Sequence, residues 1–189
     1  QNYQLRSLFQ DQSQSNQNSA SPNPDTPTNQ FNLVYKSDDE LWLQTTDGKK
    51  QLTSTQAGIT NYAYTLSSPL VAYISGQRIT NSSNYTSIQP LQVSLLNLTT
   101  NQSTPLLTLT PSHPDGVNLE FTDQLSDVAF SGDGQLLAIS TNQSLYIYDT
   151  TNSQLTQIFY SPYSGGLKAS GIFAYRDPKF SPDKTRVIL

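Results

Sequence analysis

Cysteine and methionine are both absent from the 189 residues, and charged side chains are scarce. The lack of cysteine excludes a disulfide framework, a thiolate zinc site and a cysteine nucleophile. Charged residues make up 13% of the chain, against roughly 25% in an average soluble protein. The ten Lys and Arg residues are scattered and the net charge is −4, so the chain lacks the basic stripe of a nucleic-acid-binding protein. We expect no nucleic acid partner.

Strong helix formers are also thin, because Met is missing and glutamate occurs only at Glu40 and Glu120. Tyr, Thr, Val and Ile supply most of the bulk in the apolar segments, and these residues favour strands. No apolar run approaches the ~18–20 residues that a membrane span needs. The composition therefore predicts an all-β chain without a membrane-spanning segment.

Residues 11–30 contain no aromatic side chain and no large aliphatic one. Such a segment cannot bury enough apolar surface to offset the entropy of ordering it. We interpret 1–30 as a polar, disordered tether ahead of a β domain at 31–189. Gln1 is interpreted as a trimmed terminus behind a removed export signal, which would place the protein outside the cytoplasm. The alternative is a disordered tail of any soluble protein.

Two kinds of β-hairpin recur along the chain. A Thr-Thr-Asp/Asn turn follows an apolar strand at 45–47, 99–101 and 150–152, with spacings of 54 and 51 residues. The second kind passes from an aromatic residue through a tight turn into an apolar strand, at 62–75, 127–140 and 177–189. Asp, Asn, Gly and Pro supply the turn conformations in both kinds. A period of about 50 residues indicates a repeat architecture.

Joining the two hairpins gives an antiparallel unit of four strands, a to d, which is the blade of a β-propeller. We expect blades at about 31–53 (without a clear strand a), 62–110, 127–160 and 175–189, the last being partial. These amount to about three and a half blades, fewer than most closed propellers contain. We therefore expect an incomplete propeller that continues past Leu189. A β-sandwich is the alternative, since its strands have similar spacing.

Three segments resemble a known repeat family: FSGDGQLLAIS (130–140), DPKFSPDKTRVIL (177–189) and ELWLQTTDGKKQLT (40–53). They look like the WD-like repeats of TolB-type periplasmic proteins, which also build the propeller of prolyl oligopeptidase-like peptidases. The resemblance covers about 31–189, although blade two has TLSSP in place of the usual Ser-Pro-Asp-Gly turn. It implies a non-catalytic binding or scaffold module of a bacterial envelope or secreted protein. The alternative is the gating propeller of a peptidase whose catalytic domain is absent from this chain.

Candidate chemical sites are weak. His113 has no G-x-S-x-G nucleophile elbow to serve, so we expect no catalytic residue and no cofactor. The acidic segments 37–40 and 115–123 raise the possibility of calcium, but neither has the ligand spacing of a calcium loop, and solvated turns are the favoured interpretation. Trp42 and a set of tyrosines could form a sugar-stacking surface, but their alternation within strands favours packing between blades. These tyrosines are Tyr62, Tyr64, Tyr73, Tyr146 and Tyr148.

The two ends of each blade differ. The short a–b and c–d turns lie at one end, here called the turn face, and the b–c and d–a connections lie at the other end, the loop face. The long, dissimilar segments 76–92, 111–126 and 161–176 all fall on the loop face. Loops on a rigid scaffold concentrate binding residues, so we predict that the loop face binds a protein or peptide partner. The predicted binding residues are Arg78, Tyr85, His113, Asp115, Glu120, Asp123, Tyr163 and Arg176.

Overall fold

The computed structural model describes residues 2–4, 33–54, 58–80, 86–109, 125–160 and 177–189, with side chains except at 2–4, 78–80 and 86–88. Every regular element in these ranges is a β-strand. The strands are β1 (Asn2–Gln4), β2 (Leu33–Ser37), β3 (Glu40–Thr45), β4 (Gly48–Gln51), β5 (Ile59–Tyr64), β6 (Leu70–Thr80), β7 (Thr86–Asn97), β8 (Gln102–Thr108), β9 (Leu125–Phe130), β10 (Leu136–Thr141), β11 (Ser144–Asp149), β12 (Gln154–Tyr160), β13 (Lys179–Phe180) and β14 (Arg186–Ile188).

The strands form four separate antiparallel sheets in chain order. Blade one is β2-β3-β4, blade two is β5-β6-β7-β8 and blade three is β9-β10-β11-β12. Blade four contains β13 and β14, with β1 paired to the far edge of β14. Consecutive strands pair within each of the first three blades, as a propeller meander requires. The fold is an incomplete β-propeller, as the repeat predicted.

Turn chemistry explains where the strands reverse. Asp38 and Asp39 form the two-residue connection of β2 to β3, with φ angles of 52° and 62°. Asn101 and Ser153, at 56° and 60°, close the c–d turns of blades two and three. Asp and Asn tolerate this left-handed backbone because their short side chains bond to nearby main-chain groups. The recurrent Asp and Asn residues are thus turn-formers in most of the described hairpins.

The core lies between blades. Val34, Leu41 and Leu43 of blade one pack against Val71 and Tyr73 of blade two in the first cluster. The other clusters join blades two and three, and blades three and four. Strand alternation produces this pattern because successive side chains point to opposite faces of a sheet, and both faces of an inner blade are covered.

The five tyrosines follow the prediction of inter-blade packing. Tyr62, Tyr64 and Tyr73 lie in or against the cluster between blades one and two, and Tyr146 and Tyr148 lie in or against the next cluster. Trp42 differs. It stands directly opposite Tyr35 in the β2–β3 ladder, and Val34 and Leu43 of the neighbouring rung belong to the cluster with blade two. Alternation therefore turns Trp42 and Tyr35 away from blade two.

Candidate functional site

The predicted b–c loop of blade two is mostly strand. β6 has 11 residues and β7 has 12, whereas the equivalent strands β10 and β11 have six each. Beyond a bulge at Ser75/Gly76, the ladder continues from Gly76↔Pro90 to Thr80↔Thr86. At about 3.3 Å per residue, this ribbon extends some 15 Å past the bulge. The segment expected to be a loop at 76–92 is therefore largely a projecting hairpin, whose paired strands reach Thr80 and Thr86.

Of the predicted binding residues, only Arg78 has a described backbone. It lies in the projecting hairpin, opposite Ile88. The other predicted residues lie outside the described ranges, so their place on the loop face stays a prediction. These are Tyr85, His113, Asp115, Glu120, Asp123, Tyr163 and Arg176.

Asp127 links the starts of blades two, three and four. Its Oδ1 accepts a hydrogen bond from Asn61 Nδ2 at 2.7 Å, and its Oδ2 accepts one from the backbone N–H of Asp177 at 2.9 Å. Asp127 follows the segment 110–124 closely, and Asp177 follows the segment 161–176 directly. The contact with Asp177 therefore joins the starts of blades three and four.

Asn61, Asp127 and Asp177 hold the same position in three successive blades. Each stands three residues before the aromatic residue that precedes the a–b turn, as in Asp127-Val-Ala-Phe130. The Asp127 Oδ1 also accepts the N–H of Val128 at 2.8 Å. Our sequence interpretation did not select Asn61 or Asp127. The repeat could have identified these residues, because an alignment of the three hairpins of the second kind places Asn61, Asp127 and Asp177 at the same position.

Two ion pairs between described residues lie near the loop face. Lys179 Nζ lies 2.7 Å from Asp177 Oδ2, and this hydrogen bond raises the pKa of the exposed lysine. Lys36 Nζ lies 3.3 Å from Asp39. In the acidic segment 37–40, the Glu40 carboxylate accepts a hydrogen bond from the Thr53 hydroxyl at 2.5 Å.

Neither a metal site nor a spanning helix is seen in the described ranges. No group of three or more His, Cys, Asp or Glu residues there is arranged to hold a metal ion. The acidic segment 115–123 falls outside these ranges. The same part of the chain has no helix long and apolar enough to cross a membrane.

On the turn face, hydrogen bonds connect the turns of neighbouring blades. In the a–b turns, Ser67 Oγ of blade two donates to the carbonyl of Gly132 in blade three at 2.8 Å. Lys184 of blade four donates to the carboxylate of Asp133 and, at 3.0 Å, to Gln135 Oε1, both in blade three. Polar groups at this end therefore bind the neighbouring turn.

The carboxylates of the a–b turns are held ionised. Partial burial opposes ionisation of Asp133, but hydrogen bonds from Lys184, Ser131 and the backbone of Gln135 lower its pKa to about 2. Asp183 holds the equivalent position in blade four. A hydrogen bond from the Ser181 hydroxyl has the largest effect on it and, together with hydrogen bonds from Thr185, lowers its pKa to about 2. The shared hydrogen bonds of these carboxylates stabilise the turns.

Comparison with known proteins finds structural neighbours of low sequence identity and low TM-score. No protein-family model and no curated protein sequence matches it. Porphyromonas gingivalis dipeptidyl peptidase 4 is 12% identical, with 68% of this chain and 24% of that chain covered and a TM-score of 0.46. An oligogalacturonate lyase in complex with manganese is 15% identical, with 78% and 36% covered and a TM-score of 0.44. TolB from Acinetobacter baumannii is 14% identical, with 78% and 42% covered and a TM-score of 0.32. The chain thus spans less than half of each of these structures.

Proposed function

We propose that this chain is a non-catalytic binding module that holds a protein or peptide at its loop face. The observation that carries the proposal is the β6–β7 hairpin, which continues for five paired rungs beyond the bulge, at the b–c end of the blades. Binding residues concentrate where irregular or projecting segments stand on a rigid scaffold.

The asymmetry between the two faces supports this choice. On the turn face, Ser67, Lys184 and Thr150 donate their hydrogen bonds to groups of the 131–135 turn. Polar groups satisfied within the protein offer less to a ligand, because binding would have to replace bonds already made. The loop face, by contrast, contains the projecting hairpin and the contacts of Asp127 with Asn61 and Asp177.

Several features of the sequence favour binding over catalysis and an extracytoplasmic location. The chain has a single histidine, His113, and no nucleophile elbow. The polar segment at 1–30 and the resemblance to TolB-type repeats favour a module held outside the cytoplasm. Tyr and Arg at the predicted site favour a protein or peptide partner, since both are common anchors at interfaces.

Peptide selection tests this proposal. Peptides are selected from a phage-displayed random library on the intact chain, and the affinity of a selected peptide is measured by titration. We expect replacement of Tyr85, Tyr163 and Arg176 by alanine to weaken binding by at least about tenfold, since buried anchors of this type contribute 2 kcal/mol or more.

The matched control replaces three exposed residues of the turn face, Lys49, Gln102 and Ser153, by alanine. These substitutions should leave the affinity within about twofold, because residues that touch no ligand contribute little. If the control set weakens binding and the first set does not, the partner uses the turn face and the proposal fails. Selected peptides that respond to neither set would also contradict it.

A further inference from the structure

The outermost strands of the first three blades differ in how their open edges are protected. These strands are β4, β8 and β12, and each ends the strand order of its sheet. In an antiparallel sheet, every second residue of an outermost strand turns its backbone N–H and C=O groups outward, where another strand can pair with them. Proteins block such pairing with charged residues, prolines, bulges or short strands.

β4 and β8 both carry this protection. β4 has four residues, and two of them are the exposed lysines Lys49 and Lys50. β8 contains Pro105, which has no N–H to donate, and the β7–β8 ladder shifts register at Val93/Ser94. A further strand would therefore meet two positive charges at the edge of blade one, and a missing donor and a bulge at the edge of blade two.

β12 is less protected. Its seven residues, QLTQIFY, include no charged residue and no proline, and the last of them, Tyr160, is 54% exposed. Short segments of this kind, with high β-propensity and without charge, proline or glycine, pair readily with further strands. A register shift at Leu145/Tyr146 is the protective feature that β12 shares with β8. In the part of the chain that the structure describes, no strand pairs with the outer edge of β12.

From this difference we propose that β12 is an interaction edge, which pairs antiparallel with β12 of a second copy of the chain. A two-fold arrangement brings the same edge from both copies together. An uncharged strand places no like charges opposite each other when it pairs with itself. The two four-stranded sheets of blade three would then join edge to edge. Each copy uses its β12 edge in this contact, and β4 and β8 are protected, so association should stop at the dimer.

The contact is small, because it consists of backbone hydrogen bonds along seven residues and the side chains beside them. Interfaces that bury less than about 1,200 Å² are typical of weak association. We therefore expect a dissociation constant on the order of 100 µM.

Sedimentation equilibrium of the intact chain from about 10 µM to about 1 mM tests the proposal. The average mass should rise with concentration from 20.9 kDa toward twice that value and no further. A chain that stays monomeric over this range would overturn the proposal, as would growth into larger species.

Charges at the two ends of β12 test the geometry. Full-length antiparallel pairing places Gln154 of one copy opposite Tyr160 of the other, and both residues are exposed within one copy. Gln154→Lys/Tyr160→Lys should remain monomeric, because lysines would then lie opposite each other. Gln154→Glu/Tyr160→Glu should remain monomeric for the same reason. An equimolar mixture of the two variants should associate, because each lysine then faces a glutamate, and a mixture that stays monomeric would contradict the pairing of β12 with itself.

The matched control places lysines at the two ends of β8, in the double variant Gln102→Lys/Thr108→Lys. Both residues are exposed, and the change in net charge is the same as in the β12 lysine variant. This control should associate like the unchanged chain. Its failure to associate would show that added positive charge on any outermost strand prevents the contact, and the assignment to β12 would be wrong. Far-UV circular dichroism checks that all the variants keep the β-sheet fold.

Hydrogen exchange gives a second measurement that needs no substitution. Pairing should slow the exchange of the outward-pointing amides of β12 by about three- to fivefold between about 10 µM and 1 mM protein. The amides of β4 and β8 should exchange at the same rate at both concentrations. Slowing in β4 or β8 without slowing in β12 would overturn the proposal, as would equal rates in β12 at the two concentrations.

Discussion

Gly134 is the position where a single methyl group should damage the contact between two blades. Its φ angle is +74°, and a Cβ added there would lie 2.8 Å from Ser68 Cβ and 2.8 Å from Thr65 Cγ2 in the neighbouring turn. The left-handed backbone costs an alanine about 1–2 kcal/mol, and overpacking against the two carbons adds about 1–3 kcal/mol. Part of this loss is offset because alanine restricts the unfolded chain.

We therefore expect Gly134→Ala to lower the free energy of unfolding by about 2–4 kcal/mol. Urea denaturation followed by far-UV circular dichroism measures the change. With an m-value of about 2 kcal/mol/M, the midpoint should fall by about 1–2 M.

Gly132 is the matched control, two residues earlier in the same turn. A Cβ at Gly132 would meet nothing within 4 Å, and the φ angle of Gly132 is not positive. Gly132→Ala should change stability by no more than about 0.5 kcal/mol. Adding Thr65→Ser and Ser68→Gly to Gly134→Ala should recover the steric part of the loss. Equal midpoints for Gly132→Ala and Gly134→Ala would refute the reasoning.

Three further predictions concern other parts of the fold. Asp127→Ala should cost about 1–3 kcal/mol by leaving three donors without their acceptor, and a surface control such as Asp47→Ala should cost little; equal losses would contradict the role of Asp127. Leu137→Ala should cost about 2–5 kcal/mol, since Leu137 is fully buried between blades, and a loss below 1 kcal/mol on thermal unfolding would argue against that packing. Because the folded pKa of Asp133 is about 2, below its ordinary 3.8, its stabilisation is present above about pH 4 and is lost as the pH falls from about 4 to 2. Asp133→Asn should flatten the decline of stability over this pH range, and an unchanged decline would show that other groups cause it.

The order of the hairpins was predictable because local chemistry specifies them. The turns at 131–135 and 181–185 contain Gly or Pro followed by Asp, and the apolar strands after them alternate or run fully buried. Antiparallel connectivity alone predicts that the a–b and c–d turns lie at the same end of a blade. The hydrogen bond from the Thr150 hydroxyl to the Gly134 carbonyl shows these two turns side by side in blade three.

The projecting hairpin was missed because the long segment 76–92, dissimilar from the other connections, was interpreted as a loop. Gly76 and Pro90 face each other at the bulge, where the ladder shifts register and then continues. Pro90 is tolerated there because the paired part of β8 begins opposite Gln92, so Pro90 needs no N–H for a third strand.

The pairing of β1 with β14 and the contact of Asp127 with Asp177 could not be read from local pattern. β1 has three residues and pairs with a strand at the other end of the chain. Asp127 and Asp177 are 50 residues apart, and their contact depends on how two blades sit against each other.

The placement of all three apolar clusters between blades determines how the protein should come apart. Among the described residues no blade has a core of its own, so blade one loses a single shared cluster when it detaches, whereas blade two or three loses two. Stability in such an array is a sum of terms between nearest neighbours. Opening should therefore start at the outer blades, and amide hydrogens of β10 should exchange more slowly than those of β2. Trp42, the single tryptophan, lies in blade one, so its fluorescence would report the first step of unfolding rather than the last.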